Sequence, residues 1–355
     1  MMKRLILAGL FGMSLLNLNA QTQVEPFVPG STLDGICYYL PSTALRVTVV
    51  AEKTITNPGD FWVYADKYLR LKNVPQSQSV NWIIKNITLE PYGVPDKSKA
   101  YSIKLKSKTL APLVGLSRDG ILLSINTDAQ EETLPPLPEA VPAPALVNPR
   151  NYMTQEILSA GADWKMAELC AQEIYDIRES RNDLIRGEAD NTPKDGAQLK
   201  LMLEQLSEQE KALESLFSGT QQTSTEVFSL NYIPTKETDK DILFRFSQKL
   251  GLVDADDLAG DPVYVSVKSL ETVPRSVQDD GIAKKKEKME KGVFYNVPAR
   301  MAIKVFNAHQ EFVKTETPMG QFGVVEILSN LLFDKKTNTQ VTFFQSTGGT
   351  KDVME

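Results

Sequence analysis

The 355-residue sequence holds one histidine and two cysteines. One imidazole cannot furnish a multi-histidine metal centre, and two thiols cannot build a zinc ribbon or a disulfide framework. Positive charge is also short. Lys and Arg number 39 against 45 Asp and Glu, a net of −6, so nothing points to nucleic acid as a partner. No glycine-rich phosphate loop, zinc-protease helix or nucleophile-elbow motif occurs. No residue is assigned a catalytic, cofactor-binding or metal-binding role, and no cofactor is expected.

The remainder is ordinary for a globular protein, with 42% hydrophobic and 24% charged residues. The N-terminus is more specific. Lys3 and Arg4 precede an apolar run from Leu5 to Leu16, and Ala20 supplies a small residue at a cleavage position. This order predicts a secretory signal peptide over residues 1–20. The run is too short for a membrane span, so no integral membrane segment is expected after its removal. No cysteine follows it closely enough for lipid attachment. Removal takes two basic groups and no acid, leaving 37 basic and 45 acidic groups, a net of −8.

Composition divides the mature chain. Residues 21–132 form an N-terminal β-rich module, with strands read at 44–51, 81–89, 101–106 and 121–125. Asn57-Pro58-Gly59-Asp60 turns into a short helix, Phe61 to Leu71, whose Phe61, Ala65, Tyr68 and Leu69 share a face suited to covering a sheet. Residues 133–150 are a proline-rich linker carrying Pro135, Pro136, Pro138, Pro142, Pro144 and Pro149, expected to act as an extended, semi-rigid spacer. Residues 151–219 form a helical hairpin. Met153, Ile157, Ala160, Trp164, Ala167, Ala171 and Ile174 make an apolar seam that slides to Cys170, Ile177, Arg181 and Leu184. That predicts a first helix roughly 50 Å long, ended at Gly187. Thr192 as N-cap, Pro193 and Asp195 open a second helix with Leu199, Met202, Leu206, Leu213 and Leu216 as its seam and Gly219 as its C-cap. The pair either packs down on the β-structure or projects as an arm.

Residues 220–355 form a C-terminal β-rich module, with strands read at 225–232, 242–246, 263–267, 292–306, 311–315 and 340–345. Asn307-Ala308-His309-Gln310 reads as a hairpin turn. Gly35-Ile36-Cys37-Tyr38-Tyr39-Leu40-Pro41 parallels Gly292-Val293-Phe294-Tyr295-Asn296-Val297-Pro298, a weak internal repeat linking the two modules. The expected fold class is therefore α+β: two β-rich modules joined by a proline-rich linker and a long antiparallel αα-hairpin.

Four features invite a functional reading and each has a plainer one. His309 sits at a turn, poor for a buried general base. Cys37 and Cys170 look like small apolar fillers, and sequence leaves open whether they pair. The acidic run from Asp254 to Asp261 fails as a calcium loop, because Leu258 and Ala259 occupy a ligand and the glycine position. The mixed run from Lys284 to Lys291 reads as a solvated loop.

Gly35 to Pro41, Arg178-Glu179-Ser180-Arg181, Gly187-Glu188-Ala189-Asp190, Pro193-Lys194-Asp195-Gly196, Leu216-Phe217-Ser218-Gly219 and Gln321-Phe322-Gly323 occur together. In this the chain resembles an uncharacterised family of exported Bacteroidetes proteins, a domain of unknown function. The resemblance implies export from a Gram-negative cell, periplasmic or surface-associated, and carries no activity or site residue. The expected function is a non-enzymatic envelope component, either protein-binding or a structural part of an assembly, with another envelope protein as the candidate partner of the helical hairpin. The alternatives are a carboxylate-dependent hydrolase of envelope glycans or peptides, and a carbohydrate-binding module using Phe61, Trp62, Tyr64 and Tyr68.

Overall fold

Strand-forming residues dominate either side of the helical stretch, and the longest strands arise there. The computed structural model describes residues 23–27, 35–104, 113–190, 193, 195–273, 292–329 and 339–354. The N-terminal part supplies β1 (Gln23–Pro26), β2 (Gly35–Asn57), the short helix α1 (Ala65–Leu69), β3 (Ser79–Lys104), β4 (Val114–Leu116) and β5 (Leu122–Ile125). Three helices follow: α2 (Gln155–Ser159), α3 (Asp163–Arg186) and α4 (Gly196–Ser218). The rest comprises β6 (Thr220–Tyr232), β7 (Thr238–Ser247), β8 (Gly251–Val253), β9 (Asp261–Ser269), β10 (Gly292–Phe306), β11 (Glu311–Ser329), β12 (Gln340–Phe343) and β13 (Thr350–Met354). The protein is a β-rich α+β fold. The predicted signal peptide, residues 1–20, and Lys284 to Lys291 lie outside the described residues.

Three antiparallel sheets form, in the orders β1-β3-β2-β6, β11-β10-β9-β7-β8 and β13-β12-β5-β4. On β2, Leu45, Val47 and Val49 are all buried, since alternate residues of a strand share a face. They meet Val263, Val265 and Val267 of β9 and Met301, Ile303 and Val305 of β10. This main core packs the four-stranded sheet on the five-stranded one. A second core joins Tyr38, Leu40, Ile103 and Val293 to Ile125, Val341 and Phe343 of the third sheet.

The sheets cross the sequence blocks. β6 runs beside β2 from Leu45–Tyr232 to Asn57–Thr220, and β12 pairs with β5 through Val341–Ile125. Two of the three sheets therefore take strands from both sides of the helices, where the sequence suggests two β-rich modules in series. Periodicity reports which side chains face a core, but not which strand lies alongside.

The proline-rich residues 133–148 run along this shared structure. Arg46 donates to the Pro135 carbonyl at 2.5 Å, Val141 and Thr225 exchange both backbone hydrogen bonds, and Gln222 donates to the Pro144 carbonyl at 3.0 Å.

The repeated heptapeptides touch each other. The Tyr38 hydroxyl donates to the Phe294 carbonyl at 3.2 Å and accepts from the Phe294 N–H at 3.0 Å. Buried Asn296 donates to the carbonyls of Pro41 and Thr347 at 3.0 and 2.8 Å. Each copy opens a long hairpin, and each hairpin shifts register at its proline, Pro41 or Pro298, which has no N–H to give the ladder.

The helical region departs from expectation in three places. The first predicted helix is two, because Ala160-Gly161-Ala162 is extended at both alanines. Trp164 is consequently 53% exposed rather than in the seam. α4 begins at Gly196, where Asp195 accepts from the Ala197 N–H at 3.0 Å, so Asp195 is the N-cap; Thr192 lies outside the described residues. The short helix near residue 61 covers no sheet. Phe61, Ala65 and Leu69 pack with Ala167, Cys170, Ile174, Leu213 and Phe217 of α3 and α4. Gly59 permits this: a Cβ there would lie 2.2 Å from the Leu216 carbonyl oxygen, which accepts the Phe61 N–H at 2.7 Å.

Candidate functional site

α3 and α4 are 24 and 23 residues long, roughly 36 and 35 Å at 1.5 Å per residue. Their seams explain how they stand. The proximal half is apolar and closes on α1, and the cluster reaches Ile177 on α3 and Leu206 on α4. Next along α3 the seam turns ionic. Glu210 is buried and accepts from Arg178 at 2.6 Å and from Arg181, while Arg178 also reaches Glu214 at 3.1 Å. Two guanidinium groups on one buried carboxylate satisfy its lone pairs, which desolvation requires. Arg178 also lies 5.6 Å over the Tyr175 ring. These partners show that the helices run antiparallel.

Beyond the ionic cluster, the distal ends open a groove of about 610 Å³. It is lined by Leu184, Leu201, Met202 and Leu206, with Asp183 and Asp190 among its polar residues. Leu201 is 59% exposed, Met202 41% and neighbouring Ile185 63%. Gly187 closes α3 in the left-handed region at φ 73°, and its N–H returns to the Leu184 carbonyl at 3.3 Å, turning the chain at this end. Among the described residues no Lys or Arg lines the groove. It is apolar with an acidic margin.

Sequence reasoning placed Met202 and Leu206 in an inward seam and did not single out Leu201 or Ile185. A usable signal was present. Leu199, Leu201, Met202 and Leu203 spread over more of the helix circumference than one partner helix can bury.

A second concavity, about 520 Å³, lies between β3 and residues 132–135 and carries Glu90, Asp119 and Glu132. Two of these acids are committed to structure. Glu90 accepts from Arg46 Nε at 2.6 Å. Glu132 accepts the backbone N–H of Gln345 at 3.1 Å and of Ser346 at 3.0 Å, and its own N–H donates to Gln345 Oε1 at 2.8 Å.

The other sequence candidates scatter. His309 is exposed in the β10–β11 turn, where the Asn307 side chain accepts the N–H of His309 and of Gln310, each at 2.8 Å. Cys37 and Cys170 are both free thiols. Residues 254–260 are the β8–β9 turn, tied down by Arg245 donating to the Ala255 and Gly260 carbonyls. Phe61 is buried against Phe217 with centroids 5.5 Å apart, and Tyr64 and Tyr68 pack on the same helical core, which leaves Trp62 alone of the four outside it. Among the described residues no group of three or more His, Cys, Asp and Glu is placed to hold a metal ion. No helix of the described residues is long and apolar enough to cross a membrane.

A family model matches residues 34–351, reaching from the first heptapeptide to β13. The chain belongs to the family described as Domain of unknown function (DUF4831). The DUF4831 match takes in both long hairpins, all four helices and the distal groove. No curated protein and no solved structure matches the chain.

Proposed function

We propose that this DUF4831 protein is an exported cell-envelope component, not an enzyme, and that it binds a protein partner with the distal ends of α3 and α4. The observation that carries the reading is the groove: Leu201 and Met202 stand exposed beside Leu184 and Leu206, on helices whose proximal halves are already satisfied. Exposed apolar surface of this kind, rimmed by polar groups, marks interaction sites. Asp183 and Asp190, with no basic residue among the described lining, favour a partner that offers an apolar helix or loop flanked by Lys or Arg. Export rests on the Lys3-Arg4, Leu5–Leu16 and Ala20 pattern.

The test is comparative. A Leu201→Asp/Met202→Asp variant should lose a partner cross-linked and recovered with the parent chain. Leu258→Asp, on the β8–β9 turn and 84% exposed, should keep it. Asp183→Lys/Asp190→Lys should weaken capture and reverse its salt dependence. Equal recovery by all variants contradicts the reading. The export part is read from the mass of the envelope-fraction protein, which should begin at Gln21; an N-terminus at Met1 contradicts it.

A further inference from the structure

The outer face of the five-stranded sheet carries a further concavity. Val263, Val265 and Val267 of β9 and Met301, Ile303 and Val305 of β10 point into the main core. By alternation Ser266 and Lys268 on β9, and Ala302, Lys304 and Phe306 on β10, point out. Lys304 lies opposite Ser266, and Lys268 lies opposite Ala302. Two small side chains set diagonally between two long ones leave a hollow of about 260 Å³, walled by Phe306 and Asp239. Pockets for drug-sized ligands begin at roughly 300 Å³, so this one has the size for a single ring.

The charges around the hollow do not cancel. Asp239 holds Lys268 at 2.7 Å, Glu311 holds Lys304 at 3.6 Å and Glu316 holds Arg300 at 3.3 Å. Those three acids are thereby taken. Lys314 of β11 stands directly across from Lys304, and among the described residues no carboxylate pairs with it. Like charges at opposed positions of an antiparallel pair repel. Lys240 adds a further positive charge, 4.1 Å over the Tyr264 ring. That ring lies 5.7 Å from Phe306, and its cover leaves Phe306 as the aromatic wall of the hollow. A chain of net charge −6 thus gathers unmatched ammonium groups beside one apolar ring.

We propose that this hollow binds one sugar ring bearing a carboxylate or a phosphate. The C–H face of the ring lies against Phe306, and the anionic group meets Lys304 on the side of Lys314. Charge-assisted hydrogen bonds hold the anion there, and its charge removes the repulsion between the two lysines. The Lys268–Asp239 pair supplies a donor and an acceptor for ring hydroxyls. The site is separate from the groove of α3 and α4 and stands without it.

NMR titrations at low salt test this with glucuronic acid, glucose 6-phosphate, glucose and inorganic phosphate as probes. At least one anionic sugar should bind about tenfold more tightly than both glucose and inorganic phosphate. Which anionic sugar does so separates the carboxylate from the phosphate. Glucose or inorganic phosphate binding as well as the anionic sugars overturns the proposal, as does no binding of either anionic sugar. Lys314→Glu gives Lys304 an opposed partner. It should raise the melting temperature while weakening the anionic sugar about tenfold. Ala302→Leu fills the hollow from an outward position and should abolish binding with the circular dichroism unchanged. Parent-like binding by either variant overturns the proposed placement. If Ala302→Leu does not fold, Lys314→Glu decides.

Discussion

Tyr38 and Cys170 are the two buried groups whose ionisation the fold opposes most clearly. Burial pushes the Cys170 thiol up to about 12, with Glu173 adding to the effect, and burial drives the Tyr38 phenol above its ordinary value. A folded-state value raised above the unfolded one favours the native state until the unfolded chain begins to ionise. Stability should therefore be level up to about pH 8, fall as pH rises past the usual thiol range, and fall faster past the usual phenol range. Urea midpoints between pH 8 and 11 check this, and Cys170→Ala should flatten the first part of the decline. Disulfide-exchange titration of the native protein should find Cys37 reactive and Cys170 silent, with both responding in denaturant. At the ionic cluster, Glu210→Gln leaves Arg178 and Arg181 without their shared carboxylate. The two arginines are each about one-third exposed, so water screens part of the loss. The expected cost is roughly 1–3 kcal/mol, against about 0.5 kcal/mol or less for Glu204→Gln, whose pair with Lys200 is open to solvent.

The secondary-structure elements were readable from sequence to differing depth, for physical reasons. β10 is found residue for residue from Gly292 to Phe306, because apolar alternation runs its length and the Asn307 turn marks its end. Its partner β11 extends well past the segment read at 311–315, since Pro318, Gly320 and Gly323 look like breakers yet lie within a strand supported by neighbours. β3 absorbs two predicted strands across Pro91, Gly93 and Pro95, which the pairing with β2 carries through. In the helices, heptad spacing continues across Gly161 although the backbone does not, so apolar period alone conceals the break between α2 and α3. The α4 start was misplaced by a capping pattern that fits two positions. Asp195→Ala should cost about 1 kcal/mol and Thr192→Ala little, by thermal or urea melts; the reverse order would return the cap to Thr192. The candidate site was half visible. The helix pair was evident from its seams, but which seam residues stay exposed depends on where the packing of α1 stops.

At the scale of the molecule, the pairing of β6 with β2 and of β12 with β5 makes the two β-rich stretches parts of shared sheets. Such contacts join residues far apart in sequence, and local patterns do not encode them. A fragment of residues 21–219 lacks both β6 and β12. It should show no cooperative melt alone, and should recover one when produced together with residues 220–355; a cooperative transition in the fragment by itself would contradict the shared-sheet arrangement. The helix pair has its base packed around Phe217 and its far end apolar. Whether that end meets a protein is read most directly by a photo-activated cross-linking residue in place of Leu201, with the same residue in place of Leu258 as the comparison, irradiated in intact cells. A discrete adduct of added protein mass at position 201, absent at position 258, is the predicted result. No adduct at 201, or the same adducts at both positions, would contradict the docking role of the groove.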